Sequence, residues 1–206
     1  MLPEIWEPQL MVVFVGTAVA ELSDTLGFYY LHPRNRFWEF LEIGGITPKR
    51  IITRQERKAL ADGHADGSLS DLVRSMFTQK KTSQLLQLGI GLTDLNRRVL
   101  ASNDKDKSAR PTQEDIEQFI VKVEKLNPKI VAFVTNPEIF VELFKSRYPG
   151  TCGTLGLQPF RLGNSEVWLL GSTSGLVRGE ALGRQEDAFF ALGERISVLK
   201  GEGARE

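Results

Sequence analysis

The segment Gln9-Leu-Met-Val-Val-Phe-Val15 is continuously apolar, rich in β-branched side chains and closed by Gly16. A run without polar alternation reads as a central parallel strand covered on both faces, so whatever surrounds it has to supply two apolar layers. Ile130-Val-Ala-Phe-Val134 has the same character, and Val167-Trp-Leu-Leu170 is a further strand. Leu88-Gly-Ile-Gly-Leu-Thr-Asp-Leu95 reads as another, with glycines that mark close backbone approach and Asp94 near its end.

Between these strands lie helical patterns. Asn35 to Ile43 has apolar residues at helical spacing and stops at Gly44-Gly45, and a weaker helix spans Arg54 to Ala61. Pro111-Thr112 opens an amphipathic helix through Leu126, where Thr112 and Asp115 resemble a capping box. Further helices span about Pro137 to Arg147 and about Arg184 to Leu199. Thr17 to Arg34, the Gly/Asp/Ser-rich stretch after Ala61, Ser102 to Arg110, the glycine-rich passage before Val167 and Gly171 to Arg178 read as loops.

Four strands alternating with helices predict an α/β protein: three layers, α/β/α, around a mainly parallel four-stranded sheet. The whole of residues 1–206 forms a single domain, since no linker or repeat divides it. Ligands in such sheets bind at the carboxyl ends of the strands. That gathers Gly16 to Ala20, Asp94 and Ser172 to Arg178 around one cleft.

Composition narrows the chemistry. At 41% hydrophobic and 25% charged residues, disorder and fibrous architectures are excluded. The apolar run is too short to span a bilayer and no basic region precedes it, so the expectation is a cytoplasmic protein without a membrane partner. The lone Cys152 permits no internal disulfide and reads as structural. Two histidines, His32 and His64, and no H-E-x-x-H motif make a metal-free, cofactor-free protein the default.

Four segments together carry a family resemblance: Val15-Gly-Thr-Ala-Val-Ala20, Gly27-Phe-Tyr-Tyr-Leu-His-Pro-Arg-Asn-Arg-Phe-Trp38, Gly89-Ile-Gly-Leu-Thr-Asp94 and Ser172-Thr-Ser-Gly-Leu-Val-Arg178. In this order and spacing the chain resembles the uracil-DNA glycosylase superfamily, nearest its mismatch-specific uracil/thymine branch. The resemblance implies an enzyme of base excision repair that extrudes uracil from double-stranded DNA, U:G mismatches included, and hydrolyses its N-glycosidic bond. Single-stranded DNA is a further partner, and a monomer suffices.

By the same resemblance, Gly16, Thr17 and Ala18 line the base pocket and Tyr30 stacks on the flipped base. Ser23, Ser172 and Ser174 meet phosphates, while Gly175, Leu176 and Arg178 enter the gap that the base leaves, with Leu176 as the apolar wedge. His32 takes a positional role in its loop. No lysine stands beside these segments, which implies a monofunctional enzyme without a Schiff base.

One position departs from the pattern. The branch carries a water-positioning asparagine two residues after the glycine, and this chain has Ala18 there. Asp94 is the candidate replacement, as a carboxylate able to accept a proton from water. Asp24 is the runner-up and Glu21 follows. Asp94 also has an ordinary reading, in which it caps a loop or pairs with Arg97 or Arg98. Ala18 keeps open a protein that binds uracil-containing DNA without turnover. A small-molecule enzyme acting on nucleosides or nucleotides ranks third, because no phosphate-loop motif is present.

The zero net charge conceals a distribution. Residues 1–33 hold four acids and no Lys or Arg, residues 34–110 hold 15 basic and nine acidic side chains, and residues 111–206 hold 11 and 13. The central surplus includes Arg34, Lys80, Lys81, Arg97 and Arg98, all candidates to meet phosphates.

Overall fold

The structure, a computed structural model, describes residues 1–101 and 107–203. Five strands form one sheet: β1 Val12–Ala20, β2 Ile90–Ala101, β3 Ile130–Phe133, β4 Gly156–Leu162 and β5 Ser165–Leu169. The helices are α1 Glu21–Leu26, α2 Phe37–Ile43, α3 Arg54–Ala65, α4 Asp71–Gln87, α5 Gln113–Leu126, α6 Pro137–Phe144 and α7 Glu180–Gly203. The strand order is β2-β1-β3-β5-β4, parallel except for β4 against β5.

The alternation of the strands explains the three layers. Val12 and Phe14 of β1, Ile130 and Ala132 of β3 and Trp168 of β5 point into one apolar cluster with α2 and α7 residues such as Phe37, Trp38, Phe189 and Leu192. Val13 and Val15, Val131 and Phe133, Val167 and Leu169 point the other way, against Ile116, Phe119 and Ile120 of α5 and Phe140 and Phe144 of α6. Both faces are therefore dry, as the uninterrupted apolar runs require.

The sheet has five strands where the sequence predicts four. The fifth, β4, lies in the passage read as irregular. Its Pro159 is tolerated because the strand is at the sheet edge, and Gly163-Asn164, with Gly163 at φ 56°, turns it into β5. That dipeptide was the available signal. The predicted loop 17–34 is also partly ordered: β1 continues to Ala20 and α1 follows, ending on Gly27 at φ 79°. The Gly/Asp/Ser-rich stretch conceals α4, capped by Ser70. Its periodicity is weak because Leu72 and Met76 face solvent at 70% and 61% exposure. β2 runs six residues beyond Leu95, and its polar tail emerges from the core at Arg98. The Thr112–Asp115 capping box forms as read. Residues 102–106 of the expected loop Ser102–Arg110 lie outside the described residues.

Candidate active site

β1 pairs with β3 only as far as Val15 and Phe133, while its pairing with β2 continues through Gly16 opposite Asp94 and Ala18 opposite Asn96. Residues 16–18 thus leave one edge open where the chain order reverses about β1, which is the place a doubly wound sheet offers to a ligand. Across that opening the Thr17 and Thr135 hydroxyls share a hydrogen bond of 2.5 Å.

Gly16 is required by what lies over it. A Cβ at this position would sit 2.1 Å from Asp94 Oδ1 and 3.4 Å from the Tyr30 hydroxyl, so the carboxylate and the phenol converge on the bare α-carbon. Tyr30 holds its place with a left-handed backbone at φ 53°, a conformation uncommon outside glycine. One face of its ring stacks on Phe37, with centroids 4.0 Å apart.

Asp94 is 7% exposed and makes no ion pair among the described residues. The two arginines nearest it in sequence are committed elsewhere. Arg97 pairs with Glu4 at 2.8 Å and donates to the Leu2 carbonyl, and Arg98 pairs with Asp115 at 2.9 Å. Burial pushes the Asp94 carboxyl up from 3.8 to about 7; Arg97 opposes the rise and Glu4 adds to it. The unperturbed value would keep Asp94 fully ionised at neutral pH, whereas the buried group is close to half-protonated there. A proton acceptor with its pKa near the working pH is well matched to general-base catalysis. The neighbouring Tyr29 phenol is raised far above its ordinary value by burial and by the Asp94 charge, so it stays neutral.

The other carboxylates are less suited. Asp24 is 3.1 Å from the N-terminal ammonium, and Glu21 is exposed at the start of α1. Ser23, within α1, is largely buried at 5% exposure. His32 accepts the Arg34 N–H on Nδ1 at 3.1 Å, and partial burial together with the Arg34 and Arg57 charges lowers its pKa. That bond shapes the 32–36 turn.

The 172–178 loop is braced against that turn. Arg36 N–H donates to the Thr173 carbonyl at 3.0 Å, and Thr173 Oγ1 donates to Asn35 Oδ1 at 3.0 Å, an atom that also accepts from Phe37 N–H. Gln185 of α7 donates to the Ser172 carbonyl at 2.7 Å. Gly175 passes so close to Arg34 that a Cβ would lie 2.5 Å from its carbonyl oxygen. The Ser172 and Ser174 hydroxyls accept from the backbone N–H groups of Ser174 and Leu176, both at 3.4 Å, and Arg178 bonds the carbonyls of Gly175 and Val177. These contacts hold up Leu176, 80% exposed at the loop tip. An apolar side chain presented to water on a braced loop is the form that an intercalating wedge takes.

A family model described as the uracil DNA glycosylase superfamily matches residues 3–192. The chain belongs to that superfamily. Its fold is also similar to the solution structure of a putative uracil DNA glycosylase from Methanosarcina acetivorans, with a TM-score of 0.54, 17% identity and coverage of 94% of this chain and 96% of that one. Membership makes this chain a uracil-DNA repair glycosylase at family level and DNA its plausible partner.

Sequence reasoning missed Thr135 and Gln185, although Thr135 was findable as the residue following a strand end. Cys152 is exposed, so it fills no core position. Among the described residues no cluster of three or more His, Cys, Asp or Glu side chains is placed to hold a metal, and no helix is long and apolar enough to cross a membrane.

Proposed function

We propose that this superfamily member is a monofunctional glycosylase that releases uracil from DNA, including U:G mismatches, with Asp94 as the group that activates water. The observation that carries the reading is the buried Asp94 carboxylate over Gly16 at the open edge of β1, without an ion pair among the described residues. In the reaction the base lies in the cleft at Gly16, Thr17 and Ala18, stacked on Tyr30. A water on Asp94 gives up a proton to the carboxylate as its oxygen bonds to the sugar C1′. The C1′–N bond breaks, and its electron pair leaves on the base, which departs as an anion before it is protonated. Leu176 fills the vacated stack, while Arg178 and the serines of its loop lie along the backbone.

Asp94 would thereby take the role that the mismatch-specific branch gives to the asparagine absent at Ala18. The test is uracil release from a U:G duplex by the wild-type protein beside Asp94→Ala. General-base catalysis of this kind contributes about 10²–10⁴-fold, so a loss in that range is expected; an unimpaired variant would eliminate Asp94. Ala18 favours a second reading, binding without turnover. Single-turnover conditions separate the two, because a binder shifts the DNA and leaves it intact.

A further inference from the structure

Of the central basic residues, several are not available to DNA. Arg97 and Arg98 are engaged as described, and Lys81 is buried, with Nζ on the Ile51 carbonyl and on Glu56 at 2.8 Å. A different set remains. A cavity of about 450 Å³ opens beside the 172–178 loop, and its walls include Arg34, Arg36, Arg54 and Arg178 with two acids, Glu39 and Glu186. Glu39 is already taken by the buried Arg57 at 2.7 Å and approached by Arg50 at 3.8 Å. Arg34 and Arg54 are exposed and form no ion pair among the described residues. Arg36 and Arg178 donate to carbonyls of the loop, the former to Val177 at 3.5 Å, and neither meets a carboxylate among the described residues.

We propose that this cavity seats a backbone phosphate of DNA on the strand flanking the extruded nucleotide, held by Arg34, Arg36, Arg54 and Arg178. The inference rests on the glycosylase reading above and supplies the anchor that a zero net charge otherwise withholds. Gly175 and Arg178, on either side of Leu176, form part of the cavity wall. A strand opened by Leu176 therefore has its next phosphates at the cavity mouth. Guanidinium forks match phosphate oxygens two at a time, and a concave wall with four arginines against Glu39 and Glu186, the former already held by Arg57, concentrates positive potential. Arg34 and Arg54 are both exposed, and alanine keeps the Arg34 backbone and Cβ that Gly175 meets, so their truncation reports on charge.

The experiment is anisotropy titration of a labelled, uracil-free duplex across 50–200 mM salt. Each phosphate contact contributes about 0.9 to the slope of log K against log salt. The Arg34→Ala/Arg54→Ala protein is expected to lose up to about 0.9 from that slope, the share of the one seated phosphate, and to bind severalfold more weakly, most of all at the lower salt concentration. Arg54→Lys should keep the slope. Glu186→Gln should tighten binding severalfold, a gain that a merely disrupted protein does not show. Arg98→Ala, whose charge is spent on Asp115, should leave the slope at the wild-type value.

An unchanged slope in the double variant, an equal fall in Arg98→Ala, or saturable inorganic phosphate binding without any effect on the DNA slope would each overturn the phosphate seat. Uracil release, followed on the same proteins, separates the two conclusions. A reduced slope in a protein that releases no uracil removes the catalytic reading alone. Normal release with an unchanged slope removes the phosphate seat alone, and a protein that neither binds DNA nor releases uracil removes both.

Discussion

Replacing Asp94 by asparagine keeps the shape of the side chain and removes its charge, which makes the energetic cost of the buried carboxylate measurable. In the folded protein burial lifts its pKa from 3.8 to about 7. Because the folded value is the higher one, the protonated side chain is the comfortable form in the fold. The contribution to stability is complete below about pH 4 and is lost as pH rises through 7. Each pH unit between the two values is worth about 1.4 kcal/mol. Burying this carboxyl therefore costs about 2 kcal/mol at pH 5, where it takes up a proton on folding, and about 4 kcal/mol at pH 8, where it is buried ionised. Asp94→Asn pays nothing of this kind, so it should be the more stable protein by those amounts, with the gap closing near pH 3. For a chain of this size about 2–4 °C accompanies each kcal/mol, which makes the melting-temperature gap roughly 10 °C at pH 8. Paired thermal melts at pH 3, 5 and 8 measure it, and other titrating groups largely cancel between the two proteins. Uracil release should move oppositely: the wild-type rate climbs with pH through about 7 as the carboxylate ionises, and the asparagine variant, with no titrating group there, lacks that climb. A stability gap that does not widen with pH, or a variant less stable at pH 8, would refute the argument that desolvation sets this group's chemistry.

Three other substitutions probe the site and its supports. Gly16→Ala drives a methyl group to 2.1 Å from Asp94 Oδ1, so denaturant unfolding should show a loss of about 1–3 kcal/mol together with reduced uracil release; a stable, fully active variant would mean that the carboxylate does not sit over this residue. Leu176→Ala, at a side chain 80% exposed, should change stability by less than about 0.5 kcal/mol, while slowing release from duplex more than from single-stranded DNA; equal slowing on both would rule out a wedge. Arg57→Met removes a fully buried guanidinium from Glu39, and urea unfolding should register about 3 kcal/mol, the low end of the range for broken buried pairs because Arg50 remains nearby; a cost under about 1 kcal/mol would show that Arg50 alone satisfies Glu39.

Local pattern and tertiary placement divide this protein between them. Strands buried on both faces carry their own signature, so Val12 to Val15, Ile130 to Phe133 and Val167 to Leu169 identified the α/β class, and the family motifs named Gly16, Tyr30, Asp94 and Leu176, because chain order and spacing are properties of sequence. Elements with one exposed side were harder: α4 exposes Leu72 and Met76, and β4 contains a proline that only its edge position excuses. What no pattern contained is the state of the charges. Whether Arg97 meets Asp94 or Glu4, whether Lys81 reaches solvent or the Ile51 carbonyl, and whether a carboxylate over Gly16 has a pKa of 3.8 or about 7 depend on which side chains the fold brings within a few ångströms and on how much water it removes. Coulomb and desolvation energies are set by distance and burial through space, and sequence separation fixes neither.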